Sequence, residues 1–221
     1  SFKKAFASSI NPVFGKLGIH DLGYEVMAKS AEKFFFDRSI PFDFPVGKSE
    51  VFVPKDEFGL AELASGFNKG TTISPLHAAL LSSAVVNNGV MMKPWIVKRV
   101  VNEAGEVLYE RRESRMGVSV SPETAKELRI LMKDTVIHGT CRKAFYRERR
   151  RKVYKNVELG AKTGTINDRE DRFKYDWLTA YVVPPNGKKG ICIAVLGIHG
   201  KILGVRANRL GRSIIRYYLS S

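Results

Sequence analysis

Apolar positions at the start of the chain recur at helical spacing. Phe2, Phe6, Ile10, Val13, Phe14 and Leu17 lie three or four residues apart, the stripe that one face of a helix buries. Pro12 interrupts it, because proline has no amide proton for an interior turn. The pattern therefore predicts a boundary near Asn11, with Ser9 and Asn11 at a turn between two helices and Gly18 ending the unit. A second helix is predicted over Asp21 to Phe35. Residues 36–57 hold Pro41, Pro45, Gly47 and Pro54 and read as an extended loop. Ser74-Pro75 is a helix start, with serine as cap and proline in the first turn. That helix runs through Leu76, Ala79, Leu80, Ser83 and Val86 to a stop at Gly89.

Beyond Gly89 strand patterns enter. Trp95 to Val101 and Val107 to Tyr109, linked by Asn102-Glu103-Ala104-Gly105, predict a hairpin. Ser121-Pro122-Glu123-Thr124 opens a helix that should end near Gly139. Three strands follow: one from Val157 through Lys162, then Trp177 to Val183, then Ile191 to Ile198. Pro184-Pro185-Asn186-Gly187 supplies a turn between the last two. A final helix is predicted over about Val205 to Leu219. The chain thus divides into a helical portion at about 1–90, a hairpin and helix at 94–139, a sheet at 157–198 and a C-terminal helix at 205–219. The fold class is α+β, an antiparallel sheet flanked by helices with a helical subdomain.

Composition narrows the function classes. With 221 residues, 44% of them hydrophobic and 10% aromatic, the chain can bury a sizeable core and is not disordered. No apolar run approaches the roughly 18–20 residues of a membrane span, and no secretory signal is visible. The chain begins at Ser1 without a methionine, so targeting elements are expected upstream. Cys141 and Cys192 could form one bridge. Their spacing suggests neither a disulfide framework nor a metal site, and the count leaves the redox compartment open. His20, His77, His138 and His199 have no zinc-ligand spacing.

The formal charge of +15 favours anionic partners. It is densest at Arg147, Arg149, Arg150, Arg151 and Lys152, around Glu148. A solvated helix end or loop is the ordinary reading of such a run. An anionic membrane surface comes next. Nucleic acid comes last, because no recognised binding module accompanies the charge.

The chemistry concentrates in two short runs. Gly160-Ala161-Lys162-Thr163-Gly164-Thr165 closes an apolar stretch and puts a lysine and two hydroxyls at the rim of a sheet, a good cradle for a carboxylate. Lys162 and Thr163 point to opposite faces, Thr165 shares the face of Thr163, and Gly164 leaves the backbone open to a ligand. At the other end stands Ser9-Ile10-Asn11. Each run alone has a plain reading: Ser9 a helix cap, Asn11 a turn former, Lys162 an edge-strand lysine.

Together, in this order, they form an S-x-N and a K-T-G set, and the chain resembles the transpeptidase domain of penicillin-binding proteins. Gly66 to Pro94 is similar to that family's G-Q-G, T-P-L-Q, A-N-x-G and P segment, and Val136 to Phe145 to its G-T-A element. Asn68, Lys69 and Gly70 depart from G-Q-G, and His77 stands where the family has glutamine. Asp168, Arg169, Glu170, Asp171 and Arg172 form a charged loop after the motif strand, either solvated or at a cleft rim.

The resemblance implies a five-stranded sheet between helices beside an all-helical subdomain, with two strands and the nucleophile's helix partly upstream, so that the fold is incomplete at its N-terminus. It implies acyl transfer without a cofactor. Ser9 would shuttle a proton to the leaving group, and Asn11 would bond the substrate peptide. Lys162 would hold the Ser9 hydroxyl and supply positive potential. Thr163 and Thr165 would bind a carboxylate, beside Gly164, and the Thr165 N–H would be one arm of an oxyanion hole. The family's nucleophile, the serine of S-x-x-K, has two look-alikes, Ser1-Phe2-Lys3-Lys4 and Ser30-Ala31-Glu32-Lys33. Neither precedes Ser9 by the several dozen residues required, so the nucleophile is expected outside this chain, and the chain alone is expected to be inactive.

The implied partners are peptidoglycan stem peptides and β-lactams. The implied location is the extracytoplasmic face of the bacterial inner membrane, with an upstream anchor. A β-lactamase, a D,D-carboxypeptidase or a β-lactam sensor of the same fold stays open, as does a non-catalytic binding or scaffold module.

Overall fold

A computed structural model describes residues 1–185 and 189–221. Asn186 and Gly187 of the predicted turn lie outside the described residues. The centre of the molecule is an antiparallel sheet of β5 (Glu158–Asn167), β6 (Lys174–Val183) and β7 (Ile191–His199), in that spatial order. β5 and β6 pair without a register shift from Glu158 opposite Val183 to Asn167 opposite Lys174. With period-two alternation, Leu159, Ala161, Leu178, Ala180, Val182, Ile193 and Val195 share one face. That face packs on Phe145 and on Ala207 and Ile215 of α8 (Ala207–Ser220). Tyr181, fully buried, faces the other way onto Val85 and Met132, with Phe6 beside them.

Asp176 fixes the start of α8. Its carboxylate accepts from Arg206 Nε and Nη2, both at 2.9 Å, and from the Ala207 amide at 2.7 Å. This places negative charge where the helix leaves amide protons unpaired.

The helical layer holds α1 (Phe2–Ser8), α2 (Asn11–Leu17), α3 (Gly23–Lys33), α4 (Glu57–Ser65), α5 (Pro75–Val86) and α6 (Pro122–Ile137), and a single turn, α7 (Arg142–Phe145), follows α6. Ser74 and Ser121 cap α5 and α6 by accepting from the amides of His77 and Thr124. No helix among the described residues is long and apolar enough to cross a membrane.

Three local expectations are corrected, and one strand pair is new. Gly18 does not end the first unit; the chain continues through a π-helical turn, Gly18–Leu22, into α3. Gly18 is there for close packing: a Cβ would lie 2.6 Å from Ala64 Cβ and 2.9 Å from Leu60 O. The predicted loop gives way at Asp56, whose side chain accepts from the Gly59 amide and starts α4. The predicted strand from Trp95 forms only at β2 (Arg99–Val101), which pairs with β3 (Val107–Glu110). Upstream of it, the amides of Ile96 and Val97 donate to the Asp43 carboxylate at 2.6 and 2.7 Å and are lost to a ladder. A further pair, β1 (Val90–Met92) with β4 (Arg115–Val118), was not expected.

Candidate active site

α1 stops at a left-handed residue. Ser9 has φ 52° and ψ 55°. Its amide donates to Phe6 O at 3.2 Å, and the next amide, that of Ile10, to Ala5 O at 2.9 Å. This is the Schellman closure of a helix, which ordinarily carries glycine at this position. A serine in this region costs about 1–3 kcal/mol of backbone strain, and such positions cluster at functional sites. α2 then begins at Asn11 with Pro12 in its first turn. Ser9 and Asn11 therefore sit at a sharp corner between two short helices.

β5 forms the facing wall. Among the described residues it is an edge strand, hydrogen-bonded to β6 on one side only. Lys162 lies on the sheet face that looks toward α1. Its Nζ donates to Ser9 Oγ, 153 residues away in sequence, and to the Thr163 carbonyl at 2.9 Å. The ammonium also lies 5.6 Å from the centre of the Phe6 ring. Burial pushes the Lys162 amine below the ordinary lysine value, with a smaller opposing pull from the neighbouring Cys141 thiol. No carboxylate among the described residues forms an ion pair with it. A desolvated cation held by a hydroxyl, a carbonyl and an aromatic face is poised for an anion brought from outside.

Between these walls lies an open cleft of about 510 Å³. Ser9, Asn11, Lys162, Thr163, Gly164 and Thr165 all line it, with Phe67 and Leu63 on the helical side. Packing does not demand glycine at 164, since a Cβ there would meet only Trp177 Cβ, at an ordinary 3.5 Å. Neither Ser1 nor Ser30 lines the cleft. Ser30 is on α3, where its hydroxyl donates to Val26 O at 2.7 Å.

Two contacts near the site were not expected from the sequence. Thr140, just after α6, also lines the cleft, with its Oγ1 2.6 Å from Thr163 Oγ1. Lys69 pairs with Asp171 at 3.1 Å, and Arg169 donates to Lys69 O at 3.3 Å. These bonds join the segment after Phe67 to the β5–β6 connection; neither Lys69 nor the charged loop lines the cleft itself. A departure from the family pattern at Lys69 was the signal that could have drawn attention to it.

The remaining singled-out residues lie elsewhere. Cys141 and Cys192 are free thiols, pushed up by burial to about 12 and about 11, so neither is a thiolate near neutral pH. His77 is fully buried with Nε2 2.7 Å from Phe34 O, a packing and polar contact. In the basic run, Arg151 pairs with the buried Glu148 at 3.0 Å, and Arg216 of α8 approaches it at 3.7 Å. Arg150 stacks 4.2 Å from the Tyr146 ring centre. Part of that charge is thus neutralised within the fold, while Arg147 and Lys152 face solvent.

A family model described as the penicillin binding protein transpeptidase domain matches residues 1–201. Stage V sporulation protein D of Bacillus subtilis is 27% identical over 173 residues, which are 77% of this chain and 25% of that protein. Peptidoglycan D,D-transpeptidase PbpA of Mycobacterium tuberculosis is 27% identical across 97% of this chain and 43% of its own. The chain thus spans between a quarter and a half of the length of these relatives.

Among solved structures, penicillin-binding protein A of M. tuberculosis, as an imipenem acyl-enzyme complex, superposes with a TM-score of 0.83 at 24% identity, covering 99% of this chain and 47% of that one. The D,D-transpeptidase domain of a peptidoglycan glycosyltransferase from Eggerthella lenta gives 0.82 at 23% identity, with 100% and 53% covered. At these identities the superpositions establish the fold.

Proposed function

The chain belongs to the penicillin binding protein transpeptidase family, and from that premise we propose that it carries one half of a D,D-transpeptidase acyl-transfer site. The enzyme would cross-link peptidoglycan stem peptides through an acyl-serine intermediate. The carbonyl of the penultimate D-alanine accepts the serine oxygen, and the terminal D-alanine leaves with a proton. A β-lactam would acylate the same serine by ring opening. The observation that supports this most strongly is the Lys162 ammonium in contact with Ser9 Oγ inside the cleft, without a carboxylate partner among the described residues.

The roles assigned by resemblance are compatible with that geometry. Ser9 passes a proton toward the leaving nitrogen, and the Lys162 charge stabilises the negative charge that develops nearby. Asn11 bonds the substrate peptide. Thr163 and Thr165 hydroxyls hold the carboxylate of the substrate or β-lactam. The free edge of β5 suits an extended peptide, whose backbone it can pair, with the Thr165 amide as one oxyanion donor. Losing one such donor costs about 2.7–4 kcal/mol of transition-state stabilisation.

The acylated serine belongs to an S-x-x-K segment outside these 221 residues. The enzyme works at the extracytoplasmic face of the membrane, anchored by an upstream segment, and Arg147, Arg149, Arg150 and Lys152 favour an anionic lipid surface. The test is intact-mass and peptide mapping after incubation with a penicillin. The 221-residue chain should gain no adduct, and the full-length protein should gain one, on an S-x-x-K serine. An adduct on Ser1, Ser30 or any other serine of this chain would contradict the assignment.

A further inference from the structure

We propose that Thr140 is a positioning residue that sets the hydroxyl of Thr163 for carboxylate binding; the proposal rests on the reading of the cleft given above. Three observations meet at the turn after α6. The Thr140 amide donates to Ala7 O at 3.0 Å, which ties the turn to the end of α1, two residues before Ser9. Gly139 allows that approach, because a Cβ there would lie 2.0 Å from Ala7 O and 2.6 Å from Ala7 C. The Thr140 side chain then meets Thr163 on β5, with 2.6 Å between the two hydroxyl oxygens. One turn thus touches both walls of the cleft, its backbone on the Ser9 side and its side chain on the strand.

The chemistry of a hydroxyl gives this contact a direction. Thr163 has one proton and can both donate and accept. If it donates that proton to a carboxylate, it must accept from Thr140. The chain of bonds then runs from Thr140 through Thr163 to the anion, and each bond polarises the next. Without the Thr140 hydroxyl, the Thr163 rotor loses the partner that orients it, and its proton must be aimed as the ligand binds.

The experiment compares Thr140→Val and Thr140→Ser in the full-length protein, using benzylpenicillin and its methyl ester as acylating probes. Thr140→Val should slow acylation by the free acid about tenfold to a hundredfold, the size expected for weakening a hydrogen bond to a charged group. It should leave the slower reaction of the ester nearly unchanged, since the ester has no carboxylate to hold. Thr140→Ser, which keeps the hydroxyl, should restore most of the acid's rate. Equal loss with acid and ester would show a structural role and overturn the proposal, as would a parental rate for Thr140→Val with the acid. Lys162→Ala run alongside separates the two layers of argument. If Lys162→Ala loses acylation while Thr140→Val does not, only the Thr140 role fails. If both acylate at the parental rate, the reading of the cleft itself fails.

Discussion

The β5–β6–β7 sheet and the β2–β3 hairpin are both antiparallel, and they differ in what surrounds them. In the sheet, Leu178, Ala180 and Tyr181 are fully buried, and the β5–β6 register runs unbroken over its whole length. In the hairpin every residue of both strands is exposed, and the register shifts between Val100 and Val101. A one-residue slip in the sheet would exchange the residues that pack on α8 with those that pack on α5 and α6, and send Lys162 to the wrong side. A slip in the hairpin would bury or expose almost nothing. Burial on both faces is what makes a strand precise enough to bring Lys162 to Ser9.

The largest expected effect is at the cleft end of the sheet. In the full-length protein, Lys162→Ala removes a half-buried charge and the bond to Ser9, each worth about 1.5–3 kcal/mol as a charge-assisted interaction. Acylation by a β-lactam should fall by roughly two to four orders of magnitude, with circular dichroism unchanged. The same residue sets a pH limb. Burial lowers its pKa in the free enzyme, so the charged form, and with it the second-order acylation rate, is present below that value and lost as pH rises through it. The alkaline limb should therefore fall below the ordinary lysine value of about 10.4. A limb at or above that value would remove Lys162 charge from the account.

Stability should separate the two regions next. Leu178→Ala opens a cavity between β6 and α8, where Leu178 has no exposed surface, and should cost about 2–5 kcal/mol of unfolding free energy. Leu108→Ala on the exposed hairpin should stay within about 0.5 kcal/mol. Denaturant titration of both variants checks the contrast. Similar losses would mean that the hairpin is covered in solution and that its exposure is misread.

Legibility in the sequence follows the same division. α5 and α6 could be read from Ser74-Pro75 and Ser121-Pro122, because a cap and an early proline act within one turn. β5, β6 and β7 could be read because their apolar runs reflect burial. α4 was missed because a nine-residue helix after a proline-rich loop offers little periodicity, and its start depends on one Asp56 side chain. The first half of the strand predicted over Trp95 to Val101 does not form, because Asp43, more than fifty residues away, captures the amides of Ile96 and Val97. The meeting of Ser9 with Lys162 is not written in either segment. It followed from the resemblance of the S-x-N and K-T-G runs to a family, and packing alone explains it. Thr140 was legible only as part of the run that resembles the G-T-A element, since its contacts are with Ala7 and Thr163, each remote in sequence.

The central claim is that Ser9 and Lys162 act as one unit. A double-mutant cycle on β-lactam acylation of the full-length protein, with Ser9→Ala, Lys162→Ala and the pair, tests it most directly. Residues that act through one shared contact are strongly non-additive, so the double variant should acylate within a few-fold of Lys162→Ala alone. Losses that multiply, the double variant falling by the product of the two single effects, would contradict the account.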